Sequence, residues 1–166
     1  VERFPQWIIS EGDILVVGAV DNSTFEWKNA ICVFRWDASN EDWVEEALLI
    51  VPSGYAGDAG HAAYTTDGQR IAVTSFVQIN TTTHKRIIDV FSFDGTSWGH
   101  EGTIDESPGE PDGQYEWGVS LDILGDVLIV GYPMYNYAPD TNFGAAHIYH
   151  YDESTGWEFD SSLLPW

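Results

Sequence analysis

The side chains that could carry out acid–base, metal or nucleophilic chemistry are few and scattered in this sequence. There are five histidines and one cysteine, Cys32. His147 and His150 lie three positions apart in a strand-like run, so their side chains point to opposite faces and cannot share one metal ion from that strand. No His-x-x-x-His motif, cysteine pair or carboxylate cluster has the spacing of a zinc site. We therefore expect no metal site.

Catalysis has no better support among the other candidates. Cys32 lies in an apolar run, where a lone thiol is usually inert packing, and a nucleophilic role would require a histidine close in space. Glu45 and Glu46 alternate across a strand and do not form an acid pair by spacing. No nucleophile elbow, phosphate-binding loop or metalloprotease motif occurs. The sequence predicts no catalytic residue, and a protein that is not an enzyme.

An acidic, turn-rich segment over residues 105–113 is the remaining candidate for ion binding. Its carboxylates could hold a calcium ion loosely, but calcium prefers roughly 6–8 oxygen ligands and no calcium-binding motif supports such a site. Solvated charge is the favoured interpretation, and the sequence predicts no cofactor.

Two glycosylation sequons indicate a location outside the cell. They begin at Asn22 and Asn80, in the segments that follow corresponding apolar runs. We predict N-linked glycans at both asparagines, with Thr81, Thr82 and Thr83 as weaker candidates for O-linked sugar. The alternative is two polar loops that spell a sequon by chance. One cysteine allows no intrachain disulfide, which removes a usual sign of secretion without excluding it.

A tyrosine-rich segment is the candidate for ligand recognition. Tyr132, Tyr135 and Tyr137 lie in one loop, and exposed tyrosines offer flat apolar rings with hydroxyl groups to sugars or proteins. This loop is our predicted binding rim for glycans or an extracellular protein. The alternative is that these rings only pack the loop against a neighbouring sheet.

The charge of the chain excludes several classes of partner. Six Lys and Arg stand against 27 Asp and Glu, a net charge of −21, which repels nucleic acid and anionic lipid. No apolar run approaches the roughly 20 residues of a membrane helix. The chain begins with Val1 rather than Met. We therefore expect a processed product or a piece of a longer protein, with no membrane span.

All these candidates lie on one repeated pattern of about 57 residues. Each copy has a Gly turn and an apolar strand, then a second apolar strand, then Asp, a short polar turn and Trp. The turn glycines are Gly12, Gly68 and Gly125, spaced 56 and then 57 residues apart. The repeats cover approximately 1–54, 55–110 and 111–166, within a single propeller-like region over 1–166.

Each repeat contains four short runs rich in β-branched and aromatic residues, bounded by turn residues, which predict β-strands. The apolar character of both faces of the second strand predicts that the sheets stack on one another. The fold class is therefore all-β, with three four-stranded antiparallel sheets. The predicted strands are 6–10, 13–18, 30–36 and 43–50; 61–66, 70–76, 87–93 and 98–104; and 117–122, 127–132, 145–151 and 157–163.

The repeat resembles the FG-GAP repeats of integrin-α-type β-propellers. The third copy is most similar, with the segments Trp117-Gly118, Gly125-Asp126, 128–133, 144–149 and Trp157 in the order of that family. The resemblance implies propeller-type blades and a protein of the cell exterior, such as an adhesion receptor, an accessory domain of an extracellular enzyme or another surface protein. The family's calcium loop is not carried over, because the turns before the second strands are too short and have too few carboxylates.

Three blades are fewer than the roughly four to eight of a closed propeller. We therefore expect an incomplete propeller or a stacked array of blades, with further copies of itself or further blades of a longer chain as partners. The favoured function is a non-enzymatic extracellular structural protein, a glycosylated fibril or surface-layer subunit. The alternatives are an adhesion or lectin-like module that uses the tyrosine rim and, with least support, an enzyme or enzyme accessory domain.

Overall fold

The computed structural model of this chain describes residues 2–21, 28–52, 64–78, 84–105, 117–133, 135 and 144–165. These ranges contain β-strands and turns and no helix, so the all-β prediction is confirmed. It follows that none of them forms a helix able to cross a membrane. The strands are β1 (Glu2–Glu11), β2 (Ile14–Asp21), β3 (Lys28–Asp37), β4 (Asp42–Ile50), β5 (Tyr64–Thr66), β6 (Arg70–Gln78), β7 (His84–Phe93), β8 (Trp98–Ile104), β9 (Ser120–Leu124), β10 (Val127–Tyr132), β11 (Ala145–Asp152) and β12 (Gly156–Leu163).

The strands form three antiparallel sheets of four, as the sequence predicted. Sheet 1 has the order β1-β2-β3-β4, sheet 2 the order β5-β6-β7-β8, and sheet 3 the order β9-β10-β11-β12. Every neighbour in a sheet is therefore also the neighbour in sequence. None of the three sheets closes on itself within the described ranges.

Two repeated turns explain the local folding. Gly12, Gly68 and Gly125 all have positive φ at the turn between the first and second strands, a conformation that glycine adopts without steric cost. The aspartate at or directly after the end of each third strand caps the turn that follows. The Asp94 carboxylate accepts a hydrogen bond from the Thr96 hydroxyl at 2.7 Å and from the backbone N–H groups of Ser97 and Thr96, both at 2.8 Å. These bonds, the hydroxyl's above all, lower its pKa to about 2. Asp37 and Asp152 make similar bonds.

Sheet 2 is packed on both faces. One face meets sheet 1 in a core that includes Ile14, Val33 and Phe91. The other meets sheet 3 in a core that includes Val90 and Leu128. The two apolar faces of the second strands, inferred from the sequence, thus serve this stacking in the middle sheet.

The first strands of the three sheets lie next to one another. β5 contacts both β1 and β9. Here Thr74 of β6 donates from its hydroxyl to the backbone carbonyl of Gly118, at 2.7 Å, and so ties the start of the third repeat to sheet 2. The sheets are therefore joined at their first strands as well as through their cores.

The two outer sheet faces carry exposed apolar side chains. We call the face of sheet 1 turned away from sheet 2 the front face, and the face of sheet 3 turned away from sheet 2 the back face. The centre of the front face, with Val17 and Cys32, is buried. Large exposed side chains are Ile8, Trp36, Trp43, Leu48 and Ile50 on the front face and Leu124, Ile129 and Leu163 on the back face.

Candidate functional site

The strongest candidate site is a contact between sheets that occurs twice. In the first instance, the Arg35 guanidinium of sheet 1 binds the Glu46 carboxylate, with Nε–Oε1 at 2.8 Å. The indole Nε1–H of Trp98, on sheet 2, donates to the same carboxylate at 2.9 Å. The guanidinium also lies over the Phe93 ring, 5.2 Å from its centroid. An arginine and a glutamate of one sheet thus hold an aromatic pair of the next.

The second instance joins sheets 2 and 3. Arg70 binds Glu101, with Nε–Oε2 at 2.8 Å, and Trp157 of sheet 3 donates its indole N–H to that carboxylate at 3.0 Å. Arg70 lies 4.7 Å from the centroid of the Tyr151 ring. Its Nη1 also donates to Asp126 of sheet 3, at 2.9 Å. We call each of these sets of contacts, from the arginine and glutamate of one sheet to the aromatic pair of the next, an inter-sheet joint.

A β-bulge places the carboxylate of each joint. In β4 the register shifts between the partners of Val33 and Phe34, which leaves Glu46 without a strand partner. The same shift leaves Glu101 as the bulged residue in β8. A bulge re-aims a side chain that would otherwise follow the strict alternation of a strand. In both strands the re-aimed carboxylate reaches the tryptophan of the next sheet.

The electrostatics of the joints match their geometry. Burial by itself would raise the pKa of Glu46, but the hydrogen bonds from Arg35 and Trp98 outweigh it and the pKa lies below its usual value. Burial would lower the pKa of Arg70, but the bonds to Glu101 and Asp126 outweigh it and the pKa is raised. The Glu46 carboxylate and the Arg70 guanidinium are therefore charged at neutral pH. The Arg70–Glu101 pair is the more buried of the two, with side chains 15 % and 7 % exposed, and such a pair is favourable only when it is fully hydrogen-bonded.

Half of a joint is exposed on each outer face. Trp36 and Trp43 on the front face form an edge-to-face pair with ring centroids 5.5 Å apart, and they correspond to Phe93 with Trp98. They are 39 % and 37 % exposed. On sheet 3, the register shift in β12 makes Asp160 the bulged residue. This exposed carboxylate accepts a hydrogen bond from Ser161, which lies opposite Ile148 on the back face. The front face thus has the aromatic half and the back face the acidic half.

The tyrosines of the predicted ligand rim have different environments. Tyr132 is 1 % exposed and belongs to the core between sheets 2 and 3. Tyr135 is half-buried and packs against the same core. Tyr137 lies outside the described residues. In this structure, then, the Tyr132 ring contacts protein rather than solvent.

The predicted glycosylation sites lie outside the residues that the structure describes. Asn22 belongs to the segment between β2 and β3, and Asn80, Thr81, Thr82 and Thr83 to the segment between β6 and β7. Both sequons therefore connect the second and third strands of their sheets. Whether they carry sugar stays a prediction. The acidic segment 105–113 is likewise outside the described residues, except for Asp105.

Three polar side chains occupy matching positions on the third strands. Cys32 is buried, and burial, followed by the charge of Glu45, raises the pKa of its thiol. His147 is 1 % exposed among aromatic rings that include Tyr135 and Phe159, and burial lowers its pKa. Asp89 is fully buried. The thiol and the imidazole are therefore uncharged at neutral pH.

Asp89 belongs to the one cluster in the described part of the chain that resembles catalytic chemistry. Its Oδ1 lies 2.9 Å from His100 Nε2 and accepts a hydrogen bond from the Thr103 hydroxyl at 2.6 Å. The hydroxyl also lies 3.3 Å from the same His100 nitrogen, but its bond to the carboxylate is much shorter, so the buried carboxylate and not the imidazole is its main acceptor. This differs from a nucleophile whose proton is taken by a histidine base. No group of three or more potential metal ligands is found in the described ranges.

A polar cleft of about 470 Å³ opens beside the second joint. The cation within it, Arg70, already binds Glu101 and Asp126. A ligand anion would have to displace one of these carboxylates. The cleft is therefore better explained as the edge of the joint than as a binding pocket.

Comparisons with known proteins identify no family. No family model matches the chain, and no curated protein sequence matches it. The resemblance to FG-GAP repeats therefore stays a prediction that rests on the residues quoted above.

The joints were not anticipated from the sequence, although a signal for them is present. An acidic residue follows each repeated tryptophan at the third position, as Glu46, Glu101 and Asp160. Strand alternation alone does not predict that the acidic residue of one repeat contacts the tryptophan of the next. Only the bulges, which the sequence does not mark, aim the carboxylates at the next sheet.

Proposed function

We propose that this chain is a non-enzymatic structural protein of the cell exterior that assembles through its outer sheet faces. One observation carries the proposal: equivalent glutamates and tryptophans join two successive sheet pairs, with an arginine from the third strand of sheet 1 and from the second strand of sheet 2. Each outer face exposes one half of such a joint. A stacking unit that repeats inside the molecule and ends in unmatched halves is suited to continue between molecules. A fibril or surface-layer subunit fits this description.

We further propose that the sheets are blades of the propeller type and that the chain is related to the FG-GAP repeats. The adjacent first strands support this arrangement, since the inner strands of blades surround a common axis. Three blades fall short of the roughly four to eight in closed propellers. Further blades would then come from other copies or from a longer chain.

The apolar residues of the outer faces support assembly independently of the joints. Leu124 is 78 % exposed on the back face, and Ile8 and Leu48 are exposed on the front face. Contiguous apolar side chains on a sheet face usually mark a surface that contacts protein. The Asn22 and Asn80 sequons support the proposed location outside the cell.

The alternative function, an adhesion or lectin-like module, depends on the tyrosine rim. The burial of Tyr132 weakens this alternative, because a ring within the core cannot stack on a sugar. Tyr135 and Tyr137 are left to carry it. Binding of the chain to immobilised glycans, lost in the Tyr135→Ala variant, would favour this alternative over assembly.

The assembly state of the purified chain tests the proposal directly. Light scattering coupled to size-exclusion chromatography should give a mass above the 18.5 kDa of one chain, and it should increase with protein concentration. Electron microscopy should then show fibres or closed rings. A mass of 18.5 kDa at every concentration would contradict the proposal.

A further inference from the structure

We infer that the assembly is directional, with the front face of one copy bound to the back face of a second copy through a third inter-sheet joint. In this joint the indole N–H of Trp43 donates to the Asp160 carboxylate of the neighbouring copy. The inference rests on the proposed function and adds the partner, the orientation and the residues of the contact.

The front face supplies an aromatic pair, as sheets 2 and 3 do in the internal joints. Trp43 occupies the position of Trp98 and Trp157 in the repeat, and its partner across the hairpin is Trp36, as Phe93 is for Trp98. In the internal joints the corresponding rings are only partly exposed, and an arginine of the preceding sheet lies over one ring of each pair. On the front face no sheet of the described chain lies before them.

The back face supplies the carboxylate. Asp160 is the bulged residue of β12, as Glu46 is in β4 and Glu101 in β8. Its carboxylate accepts one hydrogen bond, at 2.7 Å, from Ser161, the next residue in the chain. His150 occupies the place of Arg35, because each pairs with the first residue of the second strand. An acidic group on a bulge therefore faces the direction from which a fourth sheet would approach.

The two faces are complementary to each other and not to themselves. A joint needs an aromatic pair on one side and a bulged carboxylate on the other. Among the described residues, the front face has the aromatic pair and the back face has the bulged carboxylate. Glu45 on the front face is not bulged, because it pairs in register with Phe34. Two front faces or two back faces would therefore not form this contact. Since the two surfaces differ, the contact is heterologous and leads to an open filament or a closed ring.

The third joint should be weaker than the internal ones. Asp160 is one methylene shorter than Glu46 and Glu101, and the repeat places no arginine at the corresponding positions of sheet 3. Assembly through this joint should therefore be reversible and dependent on concentration. Replacing Asp160 with glutamate restores the reach of the internal joints and should strengthen the association.

A mixing experiment with two variants tests direction and residues together. Trp43→Ala removes the aromatic half and keeps the back face, while Asp160→Ala removes the carboxylate and keeps the front face. Each variant alone should have the mass of one chain in light scattering. An equimolar mixture should form a one-to-one dimer that does not grow further, because the Trp43 and Asp160 that remain belong to different molecules.

Three more variants make the test specific to the hydrogen bond. Trp43→Phe keeps a ring and removes the N–H, and should weaken association by about tenfold. Asp160→Glu should tighten it. Glu153→Gln, an exposed charge change in the turn before β12, should leave it unchanged. Thermal unfolding of each variant checks that its fold is retained.

The outcomes separate this inference from the proposed function. A wild-type chain that stays monomeric overturns both. If the wild type assembles and the single variants assemble equally well, or the mixture stays monomeric, the joint is wrong and the assembly uses another contact. The directional joint is supported if the equimolar mixture forms dimers while each variant by itself stays monomeric.

Discussion

At the scale of single residues, tryptophan is suited to the joint because it combines a large apolar ring with one hydrogen-bond donor. The rings of Trp98 and Trp157 pack at the edges of the two cores, and their N–H groups bind the carboxylates of Glu46 and Glu101. A carboxylate left without such donors in this half-buried position would be costly. The ring and the carboxylate therefore depend on each other.

A double-mutant cycle on Trp98 and Glu46 measures this dependence. Trp98→Phe removes the indole donor, and Glu46→Gln keeps an acceptor oxygen but removes its charge. Each should lower the free energy of unfolding, because the bond to a charged acceptor is lost. The double variant should lose less than the sum of the two, with a coupling of about 1 kcal/mol in urea denaturation. A coupling near zero would mean that the 2.9 Å contact contributes nothing to stability.

His147 gives a second prediction at the same scale. Its ordinary pKa is 6.5, and burial lowers the pKa in the folded state. The unfolded chain therefore takes up a proton first as the pH falls. The stability from the neutral imidazole is complete above about pH 6.5 and is lost as the pH falls through the folded pKa, with a slope of up to about 1.4 kcal/mol per pH unit.

Urea unfolding of wild type and His147→Phe between pH 7.5 and pH 5 checks this sign. The variant keeps an aromatic ring among Tyr132, Tyr135 and Phe159 and should show a flatter profile. His150→Gln, which changes an exposed histidine on the same strand, is the control for the loss of a histidine as such. Equal slopes in wild type and His147→Phe would contradict the assignment.

At the scale of the strands, deviations from regular geometry decide which surfaces meet. The bulges in β4, β8 and β12 aim three acidic residues out of the regular alternation. Gly18 in β2 is a deviation of another kind, because the Trp7 ring of β1 lies where a side chain would be. A Cβ on Gly18 would lie 1.9 Å from two atoms of that ring.

Gly18→Ala should therefore destabilise sheet 1. The Trp7 ring would have to move out of its packing against the core shared with sheet 2, at a cost of about 1–3 kcal/mol in the free energy of unfolding. Gly99→Ala is the matched control, since its Cβ would meet no atom within 4 Å and Gly99 also lies within a strand. Equal unfolding midpoints for the two variants would show that Trp7 moves without cost.

At the scale of the whole molecule, charge and apolar surface act against each other. The net charge of −21 keeps copies apart, whereas the exposed residues of the two outer faces favour their association. Added salt screens the repulsion, with a Debye length near 8 Å at about 0.15 M. The balance between association and repulsion should therefore depend on ionic strength.

Self-association should strengthen as the salt concentration rises. Sedimentation velocity at low and at high sodium chloride, on the same protein concentration, should show larger species at high salt. Asp160→Glu should follow the same trend from a higher starting affinity. A decrease in size with salt would mean that attraction between opposite charges dominates the contact, against the argument from net charge.

The sequence by itself determined the local structure of this protein. The spacing of Gly12, Gly68 and Gly125 and the short apolar runs were enough to predict an all-β chain with three four-stranded antiparallel sheets, because strand pairing between sequence neighbours is set by turns and alternation. The repeat also contains an aspartate before the turn between its third and fourth strands. The hydrogen bonds that Asp37, Asp94 and Asp152 accept in these turns explain why it recurs.

Only the tertiary structure decided which residues meet across the sheets. Tyr132 was a candidate for an exposed rim and lies in a core, because the face of β10 that it occupies is turned toward sheet 2. Glu46 was considered only as one of an acid pair and is instead the acceptor of a joint. A one-residue bulge decides that role. The bulge depends on the packing of complete sheets rather than on the residues of any one strand.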